Sequence, residues 1–95
     1  MAIGCLHTLR HHGVRVPEEL SLVGFDNILV AEFLSPPLTT VDLHMRDIGI
    51  NGMRRLHDLL RETDRRKTIR THETMLIVRQ SSAPPRGVYA GFAAV

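Results

Sequence analysis

Asp26 follows directly on the apolar run LSLVGF at residues 20–25. In an open α/β sheet, ligands bind outside the carboxyl ends of the strands, so a carboxylate placed there can accept hydrogen bonds from two adjacent hydroxyls, as on a sugar or other polyol. The competing role is local, an Asx interaction that caps the following turn. Residue type and position leave both roles open. His7 and His11 lie four apart, a spacing that puts two zinc ligands on one helix face. Thr8, however, stands where an H-E-x-x-H site places its general base, and no third ligand lies at a familiar spacing. The pair reads as solvated helix histidines. There is no G-x-S-x-G elbow, and the seven glycines form neither G-x-G-x-x-G nor a P-loop. No catalytic set, metal site or cofactor site emerges. Residues 54–70 carry seven cations against three acids. That balance fits phosphate contact, but the interspersed acids and the preference of a helix C-terminus for cations favour ordinary ion pairing on a solvated face.

Positioning Asp26 requires an ordered set of elements. AIGCLHTLRHH at residues 2–12 places Ile3, Leu6 and Leu9 at helical spacing, and Gly13 supplies a left-handed terminator. A loop holding Pro17 leads into LSLVGF, which reads as a buried strand. Residues 26–37 are irregular, with one helical turn expected around residues 30–33. Pro36 and Pro37 enforce an extended entry into LTTVDL, a β-branched second strand at residues 38–43. The stretch from His44 to Thr63 carries Met45, Ile48, Met53, Leu56, Leu59 and Leu60 along one stripe, and is the longest helix. Gly49 and Gly52 inside it suggest close backbone approach to a neighbour. HETMLIVRQ at residues 72–80 reads as a third strand with an apolar centre, and SSAPPRG ends regular structure. A helix, a short loop and a continuous apolar strand predict an α/β fold with a parallel sheet. Two helices are few to cover both faces of such a sheet.

The chain has 95 residues, 43% of them hydrophobic and 23% charged, with a formal charge of +2. That length allows one small domain or part of a larger one, and the charge is far below what wrapping nucleic acid along the whole chain requires. Cys5 is the single cysteine, which forbids an intramolecular disulfide framework and points to a reducing compartment, the cytoplasm. No apolar run approaches the roughly 18–20 residues that span a bilayer, and Arg10, His11 and His12 interrupt the segment where a signal peptide needs its apolar stretch.

The run RVPEELSLVGFDNILVAEFLSPPLTTVDLHMRDIG, followed by a helix and ETMLIVRQSSAPPR, resembles the C-terminal part of the effector-binding region in the LacI/GalR family of bacterial repressors. The likeness covers residues 1–86 and leaves 87–95 as a tail. It implies part of a periplasmic-binding-protein-like (type I) fold, a parallel-sheet fragment with a crossover helix. In that family two lobes enclose a small-molecule effector, often a sugar or nucleobase. Asp26 matches the acid that contacts the effector. Leu43 and Met45 fall where the chain crosses the hinge, at places where relatives often present a ligand-facing polar or aromatic group; here one is aliphatic and the other a thioether. Val14, Phe33 and Leu34 match positions of the family's homodimer interface. The N-terminal helix-turn-helix that reads operator DNA has no counterpart in this sequence, and a start in mid-helix without a capping residue looks like a truncated or misassigned reading frame. The resemblance implies no enzyme activity. A periplasmic sugar-binding transport component, which shares the fold, is the alternative.

Overall fold

The computed structural model describes residues 1–61, 66 and 69–86. The chain opens with helix α1 (Ala2–His11), whose first turn has no side-chain cap. Its end is a Schellman motif: Gly13, at φ +73°, donates its N–H to Arg10 O, and Val14 donates to Leu9 O at 2.9 Å. Of the three apolar residues at helical spacing, Leu6 alone is buried.

The segment at residues 20–25 is extended, but it is not a regular strand. It touches its neighbours through a single parallel bridge, Val23 to Thr39, flanked by bonds from Leu22 N–H to Ser81 O and from Gly24 N–H to Thr39 O, both 2.8 Å. The parallel sheet expected from the sequence is reduced to this bridge. Nor is the segment buried, since Leu20, Val23 and Phe25 are all exposed. Further on, a 3-10 helix (Leu29–Phe33) occupies the place of the expected single turn.

Strand β1 (Thr40–Asp42) pairs with β2 (Met75–Ile77) in an antiparallel ladder, with Thr40 opposite Ile77 and Asp42 opposite Met75. The third strand thus returns against the second in the opposite sense to the one expected. Between them runs helix α2 (Met45–Arg61), none of whose residues is buried. Beyond the adjacent residues and the helix's own backbone, no described heavy atom lies within 4 Å of where a Cβ would stand on Gly49 or Gly52, so the close approach inferred from these glycines does not occur among the described residues. The apolar run of β2 and the residue after it is likewise open: Met75, Leu76 and Val78 are exposed. Apolar patterning records a surface that wants covering, and here the described residues do not supply the cover.

The core is correspondingly small. Leu6, Val16, Ala31 and Leu38 are buried together with the polar residues Thr39, Thr40 and Ser81. Burying those hydroxyls is tolerable because each is bonded. Ser81 Oγ accepts from Thr39 N–H at 2.8 Å and donates to Leu22 O at 2.5 Å. Thr39 Oγ1 shares a 2.7 Å bond with Ser82 Oγ and accepts from Arg79 N–H at 2.9 Å. These bonds fasten segments 22–24, 38–40 and 79–82 where they cross.

Candidate ligand-binding site

Asp26 and Asn27 both adopt left-handed backbone, at φ +81° and +43°. For non-glycine residues that conformation costs roughly 1–2 kcal/mol each, least for Asn and Asp, so it persists only where neighbours enforce it. Asn27 provides the enforcement. Its backbone N–H donates to Thr40 Oγ1 at 3.2 Å, its Nδ2 donates to Asp42 Oδ2 at 3.2 Å, and its Oδ1 accepts from an Arg79 guanidinium nitrogen at 3.0 Å. The other terminal nitrogen of Arg79 donates to Leu38 O at 2.8 Å. One planar guanidinium therefore ties the turn to the entry of β1.

Asp42 continues the network toward α2. Its Oδ1 accepts from His44 N–H at 2.7 Å, and His44, also left-handed at φ +51°, offers its carbonyl to the N–H groups of Asp47 and Ile48 in the first turn of that helix. The His44 N–H holds the Asp42 carboxyl below its ordinary value of 3.8; desolvation works the other way, and the Asn27 amide and the His44 charge add to the lowering. Arg79, Asn27, Asp42 and His44 thus form a continuous polar path from the Asp26 turn to the start of α2.

Asp26 itself makes no hydrogen bond or ion pair among the described residues, so its carboxylate caps nothing there. It stands at the wall of a groove of about 640 Å³ whose other lining includes Ile3, Leu22, Phe25, Ile28 and Thr40. An apolar concavity with one unpartnered carboxylate and a nearby hydroxyl suits a small molecule that has both an apolar face and donors to present. Leu43 is half-buried and Met45 exposed, and neither borders this groove. Val14 borders a separate depression together with Ser35 and Pro36, adjoining Leu34 in the chain; Leu34 is half-buried and Phe33 exposed. His7 and His11 are exposed on α1, and no cluster of three or more His, Cys, Asp or Glu suited to a metal lies among the described residues. The basic stretch lies partly outside the described residues, and the tail at 87–95 entirely so.

Asn27, Asp42 and Arg79 are the residues that sequence reading passed over. Asp42 carried a signal, an acid just ahead of a helix start. Arg79 was visible only as the cation closing MLIV, and its partners lie 41 and 52 positions away.

The crossing segments and the groove beside Asp26 belong to a chain whose sequence matches a known family, the periplasmic binding protein-like domain. That family's profile matches residues 1–82, and the chain belongs to it. The proteins it resembles are LacI-type transcriptional regulators. It is 41% identical over 69 residues to the HTH-type transcriptional repressor PurR of Vibrio atlanticus (strain LGP32), covering 73% of this chain and 21% of that protein. With the repressor CytR of Escherichia coli (strain K12) it shares 38% identity over 82 residues, 86% of this chain and 24% of that one. The LacI family transcriptional regulator from Enterococcus faecalis V583 with bound ribose superposes at a TM-score of 0.86 with 30% identity, covering 90% of this chain and 32% of its own. The CelR–cellobiose complex gives 0.81 with 34% identity, covering 85% and 25%. The chain thus spans about a fifth to a quarter of the curated relatives it matches. These relatives are regulators, which favours that reading over a transport component.

Proposed function

We propose that this chain is the part of a LacI-type transcriptional regulator that senses a small effector, a sugar or nucleobase, through Asp26. The observation carrying this reading is the Asp26 carboxylate, unpartnered among the described residues at the groove wall and held in left-handed backbone beside Asn27. Solved relatives with bound ribose and with cellobiose support the ligand class. Leu43 and Met45 belong to the same proposal as hinge positions that approach the effector when the second lobe is in place. Val14, Phe33 and Leu34 form a homodimer contact in the full-length protein. Operator DNA is bound through the helix-turn-helix region of the full-length regulator. The regulator works in the cytoplasm, catalyses no reaction and needs no cofactor. No helix among the described residues is long and apolar enough to cross a membrane.

The test restores both lobes by joining the full 95-residue chain in place of the matching segment of the Enterococcus faecalis V583 regulator. Ribose, cellobiose, adenine and guanine are titrated calorimetrically against this hybrid. Asp26→Ala removes charge-assisted hydrogen bonds of about 1.5–3 kcal/mol each, so affinity falls at least tenfold while the melting temperature barely moves. Unchanged affinity, or no binding by any of the four compounds, overturns the proposal.

A further inference from the structure

Outside the groove stand the mixed-charge depression of His44, Asp47, Arg54, His72 and Glu73, the exposed stripe of α2, and the Arg79 network. The depression holds no metal-binding cluster among the described residues, and nothing in the structure shows what covers the stripe. The network, by contrast, has specific endpoints. Among the described residues Asp26 has no side-chain partner to set its direction, and its neighbour Asn27 is bonded at three points. Two of those points belong to β1, whose place is fixed by the ladder and by the buried Thr40 hydroxyl. The third is Arg79, just beyond β2 in the chain, whose second terminal nitrogen is already committed to Leu38 O.

We infer that Arg79 is a positioning residue for ligand recognition, acting through the Asn27 carboxamide to hold the Asp26 carboxylate at the groove wall. The inference rests on the reading of Asp26 as the ligand contact. Arg79 makes its two contacts with separate N–H groups at fixed angles. An ammonium, as a single point of charge, cannot reproduce that fork. The long-range electrostatic effect of a cation near an anionic site is a different mechanism, and the two are separable by experiment.

The hybrid regulator is titrated with the same four compounds as a double-mutant cycle, each variant accompanied by a thermal melt. Arg79→Ala lowers affinity five- to tenfold in the parent but less than twofold in the Asp26→Ala background, because the group it positions is gone. Asn27→Gly tolerates the left-handed backbone, removes the relay together with the bond to Asp42, and gives the same pattern. Arg79→Lys still loses at least threefold. If Asp26→Ala has no effect, the ligand reading has failed and the inference with it. If Asp26→Ala weakens binding but the Arg79 and Asn27 losses persist undiminished in its background, or if Arg79→Lys restores full affinity, positioning is overturned while the ligand reading survives.

Discussion

Asp42 reports on the junction through its titration. Its carboxyl is lowered chiefly by the His44 N–H, so the folded chain favours the charged form more than the unfolded chain does. A depressed folded-state value contributes stability that is fully present above the ordinary value near 3.8 and is lost as pH falls through the lower folded value. The melting temperature is therefore expected to decline as pH falls below the ordinary value near 3.8, and Asp42→Asn is expected to flatten part of that decline. Glu19, lowered by the Arg15 backbone N–H, contributes with the same sign and remains in the variant. A pH series of thermal melts on both proteins checks this, and identical slopes would remove Asp42 from the account.

Gly24 is a point of close approach between its extended segment, Leu38 and Ala2. A Cβ there would lie 2.8 Å from Leu38 Cδ2 and 3.4 Å from Ala2 Cβ, and Leu38 is buried, so its side chain has little room to yield. Gly24→Ala is expected to destabilise by about 1–3 kcal/mol through overpacking between α1 and the entry to β1. Gly52 gives the opposite outcome. It sits inside α2 with no described atom near its Cβ, so Gly52→Ala stabilises by about 0.5–1 kcal/mol through helix propensity alone. Denaturant melts of the two variants against the parent measure both signs, and a neutral Gly24→Ala would show that Leu38 repacks freely.

At the scale of the whole molecule, the apolar faces outnumber what the described residues cover. Met53, Leu56 and Leu60 along α2 remain 66%, 49% and 74% exposed. Each large apolar side chain left in water forgoes about 1.5–3 kcal/mol, against a total stability of about 5–15 kcal/mol for an ordinary domain. The isolated 95-residue chain is expected to self-associate in a concentration-dependent way, with Leu56→Lys or Leu60→Lys shifting it toward smaller species in sedimentation velocity. A monomer at every concentration, with a sharp cooperative melt, would contradict this.

Local chemistry made much of the molecule legible in advance. Leu6 and Leu9 at helical spacing with Gly13 after them specified α1 and its terminator, the β-branched LTTVDL specified β1, and the stripe from Met45 to Leu60 specified α2, because these depend on periodicity and backbone preference within a few residues. The family was legible too, from VGFDN and SPPLTTV. Tertiary structure alone decided the rest. Whether 20–25 becomes a buried strand, or Met75 to Val78 an interior one, depends on what lies against them, and a stretch of chain carries its wish for burial without carrying its cover. Likewise Arg79 meets Asn27 and Leu38 only because segments far apart in sequence cross at one place. A guanidinium's partners are set by position in space, and no periodicity encodes them.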